Sequence, residues 1–307
     1  MLNLKSLLFS GFQKIARLFW GTGIGAIPGV LPAYNYLSRI LWSNKTVVEV
    51  QGSKMYVNPD KLPKSYIRTF QAYILTGGWE ALTTEMFKKI VKEGDVVVDL
   101  GANIGYYTLL AARLVGREGK VYAFEPEPTN YSLLLKNIAL NGYENIVAVQ
   151  KAVSDTTGKV KLFVDEKDTG AHSIYQPEEE KAFVEVEAVT LDDLFKGKEQ
   201  RINVIKMDVE GAEMAALSGM DNLIRENKNL KMFVEFYLAG IKNAGNSPHE
   251  FARRLLEDYN FSILAIGDYS RNKQYLKIAN VDELIKLSKG GKAVNLLLER
   301  KQAGGSQ

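Results

Sequence analysis

Residues 96–110 read VVVDLGANIGYYTLL. The stretch begins as a continuous apolar run, the pattern of a strand buried on both faces, and ends as the apolar side of a helix. Between the two stand Asp99, Gly101, Asn103 and Gly105. A glycine-rich turn from strand to helix commonly cradles a phosphate, yet here an acid stands at its mouth. The dinucleotide fingerprint is G-x-G-x-x-G; this loop is D-x-G-x-N-x-G. A carboxylate in that place repels a diphosphate and attracts a ligand with an ammonium group. S-adenosylmethionine carries an ammonium, a sulfonium and a ribose, and no phosphate. Asp99 is therefore read as facing a cationic cofactor. Gly101, Asn103 and Gly105 let the flat adenosyl part lie against backbone.

Working outward, the next strand, VYAFEP, ends in Glu125. An acid at the end of the second strand can accept both ribose hydroxyls. Taken alone it would serve NAD equally well. The third strand ends QKAVSD, where Ala152 and Val153 form an apolar ledge for adenine, while Asp155 with Thr156 and Thr157 opens the following turn. A tight strand-to-helix turn with no ligand remains the bland alternative for the two glycines.

The flanking chain keeps the same rhythm. TVVEVQGSKMYV (46–57) alternates around a Gly-Ser turn as a hairpin, and WEALTTEMFKKIVKEG (79–94) is helical and stops at Gly94. Strands alternate with helices through residue 155, resume at INVIKMD (202–208) with AEMAALSGMDNLIRE (212–226), and continue through LKMFVEFY, FSILAIG and AVNLLLER. Apolar strands alternating with helices imply an α/β fold with a parallel sheet covered on both faces. The rhythm breaks at about 156–200. There GKVKLFVD and KAFVEVEAVTL read as two added antiparallel strands, with a polar loop carrying His172 between them. The domain reading is an N-terminal segment 1–45, one domain 46–300 with its insertion at about 156–200, and a disordered tail 301–307.

Composition narrows the chemistry. The 307 residues contain no cysteine and two histidines, His172 and His249, so thiolate nucleophiles and histidine-rich metal sites are excluded. A carboxylate-bound magnesium or calcium is not excluded, although no metal ligands are assigned. A net charge of +3 gives no global field of the kind that announces nucleic acid, and the insertion is acidic (QPEEE). The first 48 residues lack Asp and Glu but carry Lys5, Lys14, Arg17, Arg39 and Lys45. Residues 2–20 have apolar groups at helical spacing with basic residues between them. That segment either lies on an anionic membrane surface or packs on protein. The expectation is a cytoplasmic protein that can touch the inner face of a membrane through residues 1–45.

DLGANIGYYT, VYAFEPEPTNYSLLLKNIALNG, AVSD, TLDDL and IKMDVEGAE, in that order, resemble the FkbM family of S-adenosylmethionine-dependent methyltransferases. The likeness runs from roughly residue 46 to 298. It implies a Rossmann-like, seven-stranded class I methyltransferase sheet, mostly parallel with its last strand antiparallel, to which the hairpin insertion is added. It also implies methylation of a hydroxyl oxygen, often on a sugar or natural product.

Four acids and a histidine are candidates for the chemistry. Asp208 ends the strand INVIKMD beside the cofactor loop and is read as facing the donor methyl or the acceptor, and as touching the cofactor too. Glu210 and Glu213 follow in a first helical turn, where acids suit the helix dipole. Glu235 is an acid in an otherwise apolar strand, costly to bury without a purpose; it takes a substrate proton, anchors a sugar, or forms a salt bridge. His249 lies in SPHE, which has the form of a capping box, and can serve as a base. The expected partner is a small-molecule or glycan hydroxyl acceptor, with no nucleic acid. A nucleic-acid methyltransferase, an NAD-dependent oxidoreductase and a non-enzymatic binding module are the rival readings.

Overall fold

The computed structural model describes Gly11 and residues 46–57, 80–165, 172–176, 182–197, 201–270, 273–288 and 293–301. The expectations for residues 1–45 and for 302–307 lie outside these. Thirteen described strands form three sheets. The hairpin is β1 (Thr46–Val50) with β2 (Ser53–Val57). It packs against α3 (Pro128–Asn141), where Asn137 and Asn141 accept the amides of Tyr56 and Lys54.

The main sheet contains β3 (Val96–Leu100), β4 (Lys120–Phe124), β5 (Ile146–Val149), β9 (Val204–Met207), β10 (Lys231–Phe236), β11 (Phe261–Ser270), β12 (Lys273–Ile278) and β13 (Val294–Arg300). Their order is β12-β11-β13-β10-β9-β3-β4-β5. β5, β4, β3, β9 and β10 run parallel, and β13 enters antiparallel between β10 and β11. The antiparallel last strand agrees with the expectation; the count does not. An eighth strand, β12, lies on the edge beyond β11, in KQYLKI, whose lysines hide it from an apolar-run search.

Side chains alternate between two apolar layers. Val97, Val121, Val204 and Phe233 meet α1 (Ala81–Ile90) and α2 (Tyr106–Val115) on one face. Val98, Leu100, Ile205, Met207 and Val234 face the opposite layer. That layer includes α4 (Leu191–Phe195), α5 (Glu213–Ser218), α6 (Asp221–Glu226), α8 (Pro248–Arg253) and α9 (Val281–Leu287). A short α7 (Leu238–Asn243) follows β10. The stretch 212–226, read as one helix, is two. Its break is at Gly219, where a Cβ would meet the Ser154 carbonyl oxygen at 1.9 Å.

The third sheet pairs β6 (Ala152–Val153) parallel to β8 (Phe183–Val189), and β8 antiparallel to β7 (Gly158–Phe163).

Candidate active site

The glycine loop spends its own amides. Gly101 and Ala102 both donate to the Phe124 carbonyl, at 3.0 and 2.8 Å. Asn103 donates to Glu125 Oε2 and Ile104 to Asn103 Oδ1, each at 2.8 Å. Gly105 donates to the Ala102 carbonyl at 2.8 Å. All five amides from Gly101 to Gly105 have protein acceptors, so the loop offers none of them to a phosphate. Its glycines serve close packing. Gly101 sits at φ +78°, and a Cβ there would stand 1.9 Å from the Asp208 carbonyl oxygen; at Gly105 it would meet Leu134 at 2.7 Å. Loop, β4 and β9 are thereby locked together.

Asp99 corrects the first expectation. It is 3% exposed, does not line the pocket, and accepts the Thr108 hydroxyl at 2.6 Å. It alternates onto the α2 face with Val97, so its carboxylate points under the helix and not into the pocket. Burial pushes its pKa up to about 6, against the pull of Thr108 and of Lys206. Gly105 likewise lies outside the pocket lining, as the first turn's packing point on α3.

The pocket is an open cleft at the carboxyl ends of the strands. Gly101, Asn103, Glu125, Ala152, Val153 and Asp208 line it. Glu125 Oε2 holds the Asn103 amide and Oε1 the Glu127 amide at 2.9 Å. The Asn130 side chain bonds this carboxylate as well; with about four acceptor positions, it keeps room for a donor from the pocket side. Burial raises the Glu125 pKa to about 7; the Glu127 and Asn103 amides oppose the shift.

Three acids gather at the pocket, and two of them, Asp208 and Glu210, line it. The carboxylate oxygens of Asp208, Glu210 and Glu235 come within 4.8 Å of one another, close enough to share a proton or a cation. Lys206, 1% exposed, lies beneath them, its Nζ 3.1 Å from Asp208 Oδ2 and 5.1 Å from the Tyr107 ring centroid. Register puts Asp99 on one side of it and Phe233 on the other. Burial works against the Lys206 charge. Asp208, Glu80 and Glu235 more than offset this, and hold its pKa above the usual lysine value. The Asp208 charge, then burial, pushes Glu235 well above the carboxylate range. Glu235 faces Asn295 across β10 and β13. Asn295 donates to Glu80 Oε1 at 2.8 Å, and Glu80 Oε2 accepts the Tyr107 hydroxyl at 2.9 Å. Among the described residues Glu235 makes no salt bridge, and the charge that acts on it most strongly is another acid, Asp208.

His249 stands apart from this group. It is exposed on the first turn of α8 and does not line the pocket. Ser247 caps that helix by accepting the Glu250 amide at 3.3 Å, but the Glu250 carboxylate turns to Arg253, so the capping box is half formed. Glu213 is fully buried, with Oε1 accepting the Gly211 amide at 3.1 Å and burial raising its pKa to about 7. That is a deeper setting than a solvated first-turn acid.

The reading of individual residues missed Lys206 and Glu80. The signal for Lys206 was there: one charge inside VIKM, two residues before Asp208, on the same strand face. Glu80 carried none, since its contacts are to Tyr107 and to Asn295 on distant elements.

Comparison with known proteins follows the same lines. The family described as methyltransferase FkbM domain matches residues 99–263. Methyltransferase sdnD of Sordaria araneosa is 31% identical over 156 residues, covering 41% of this chain and 60% of that protein. Hexuronic acid methyltransferase AglP of Haloferax volcanii is 26% identical over 167 residues, covering 54% and 63%. The chain thus spans about three-fifths of the length of both relatives. The crystal structure of methyltransferase FkbM from Methylobacillus flagellatus KT matches with a TM-score of 0.41 at 16% identity, covering 78% of this chain and 56% of that one.

Proposed function

The chain belongs to the methyltransferase FkbM family, and we propose that it transfers the methyl group of S-adenosylmethionine to a hydroxyl oxygen of a sugar, glycan or small natural product. The observation that carries this reading is the glycine loop with every amide from Gly101 to Gly105 committed. A dinucleotide would need those amides for its pyrophosphate. A phosphate-free adenosyl ligand does not. The remaining lining suits it: Glu125 for ribose hydroxyls, Ala152 and Val153 as an apolar ledge for the base. AglP is named for hexuronic acid, which supports a saccharide acceptor here.

S-adenosylmethionine supplies an electrophilic methyl group on a sulfonium, so the protein's task is to place an oxygen behind it and take the proton. Asp208 lines the pocket and is held by Lys206. It is the acid placed to accept the hydroxyl proton as the new C–O bond forms, an effect typically of about 10²–10⁴-fold. Glu235, kept protonated by its neighbour Asp208, serves as a hydrogen-bond donor to an acceptor oxygen. His249 has no part in this assignment.

The test is calorimetric titration with S-adenosylhomocysteine, then transfer of labelled methyl from the donor to a panel of hexoses, hexuronates and their glycosides. Binding in the micromolar range with label on an ether oxygen supports the reading. Binding of NAD in place of the homocysteine compound overturns it. Label found only on a carboxylate would move the acceptor from hydroxyl to acid.

A further inference from the structure

The inserted strands raise a question that the transfer reaction leaves open: which ligand do they cover? The strand order gives the direction. From β9 to β3 to β4 to β5, the site passes from Asp208 to the glycine loop to Glu125. A cofactor with its methyl end at Asp208 and its ribose at Glu125 has its base on the far side of Glu125, over Ala152 and Val153. His172 and Ile174, from the loop that joins β7 to β8, line that same pocket, as does Leu162 of β7. Glu80, Lys206 and Glu235, on the acceptor side, do not.

These residues are also fixed in place. Leu162 and Ala152 share a small apolar cluster, with Ile174 packed against it, so the wall and the adenine ledge are one unit. The backbone of Ser173 pairs with Phe163 in both directions, at 2.8 and 3.2 Å. His172 Nδ1 accepts the Asp165 amide at 3.0 Å, which sets the ring's orientation. A flat ring of this kind is a surface on which nucleobases stack.

Resting on the S-adenosylmethionine reading, we propose that the sheet of β6, β7 and β8 is the adenine-side wall of the cofactor pocket, closed by His172 and Ile174, and is not a lid over the methyl acceptor. The insertion then sets affinity for the adenosyl group and leaves acceptor choice to the Asp208–Glu235 side.

The experiment is calorimetric titration of the full chain with S-adenosylhomocysteine and, separately, with adenosine. The proteins are the wild type, His172→Ala, Ile174→Ala and Phe183→Ser. Phe183 is 49% exposed on the same sheet and does not line the pocket, so its variant controls for general damage. Losing a side chain that packs on a base costs roughly five- to hundredfold in affinity. Expected is a loss of about tenfold for both ligands in His172→Ala and in Ile174→Ala, with Phe183→Ser unchanged. Unchanged affinity in both pocket variants overturns the proposal, as does a loss for S-adenosylhomocysteine that spares adenosine. A wild type that binds neither ligand sinks the cofactor reading itself, a result distinct from wild-type binding that the variants retain.

Discussion

Thr108 gives its hydroxyl hydrogen to Asp99 at 2.6 Å, behind the glycine loop and out of reach of the pocket. The acid at the head of the cofactor motif thus braces α2 against β3. With its pKa raised from 3.8 to about 6, Asp99 favours the folded state below about pH 4, and that contribution is lost as pH rises through 6. Asp99→Asn cannot titrate. Between pH 4 and 7 its unfolding free energy should gain on the wild type by on the order of 2–3 kcal/mol, whatever the constant offset between the two. Urea melts at three pH values measure this. A parallel pH dependence in both proteins would show Asp99 ionised at its ordinary value.

Glu125 titrates where the ligand acts. Burial lifts its pKa to about 7, and ribose hydroxyls, as donors, favour the ionised form. The bound state therefore holds fewer protons than the free one. Affinity for S-adenosylhomocysteine should rise between pH 6 and 8, with proton release visible as a buffer-dependent binding enthalpy. Glu125→Gln should flatten the profile and lower affinity by about 10- to 100-fold, the loss of hydrogen bonds to a charged group. A steep profile in Glu125→Gln would assign the titration to another residue.

The parallel core was legible because its strands are uninterrupted apolar runs: VVVDL, VYAF and VIKM can only be buried on both faces. Glu125 and Asp208 were legible for a related reason, as charges placed where such runs end. Asp99 was visible as a residue but not in its direction. It lies inside the strand, and the alternation that aims Val97 at α2 aims Asp99 there too. The edge strand β12 escaped because lysines interrupt its apolar pattern, and Glu80 because its partners Tyr107 and Asn295 come from α2 and β13. Gly219 was a conspicuous residue in a helical pattern, yet its reason is the Ser154 carbonyl on another segment. Sequence shows periodicity and chain position; it does not show what long-range approach brings beside them.

Gly101→Ala should damage the site through packing. Its φ of +78° disfavours any L side chain, and the added methyl would meet the Asp208 carbonyl oxygen at 1.9 Å. Backbone must move, and the backbone in question carries Asp208. A loss of roughly 2–4 kcal/mol in unfolding free energy is expected, with S-adenosylhomocysteine affinity falling alongside. Gly142→Ala is the control. It also has positive φ but nothing lies within 4 Å of the added methyl, so its cost should stay near ~1 kcal/mol. Equal losses in the two variants would mean that φ alone matters and that the loop does not press on Asp208.

Lys206→Met removes the cation that lies beneath Asp208, Glu235 and Glu80. Breaking a fully buried pair costs about 3–5 kcal/mol. Asp208 keeps 29% of its side chain exposed and can recover water, so the stability loss should be nearer ~2 kcal/mol. The effect on transfer should be larger than the effect on binding. Without the ammonium, no cation among the described residues holds the Asp208 carboxylate in place, and the acid that takes the hydroxyl proton loses its position. Labelled-methyl transfer should drop by about 10²-fold or more, while S-adenosylhomocysteine affinity changes by less than about threefold, since Lys206 does not line the pocket. Lys206→Arg keeps the charge and should restore part of the rate. Transfer that survives Lys206→Met at the wild-type rate would remove Asp208 from the role of base and turn attention to Glu210.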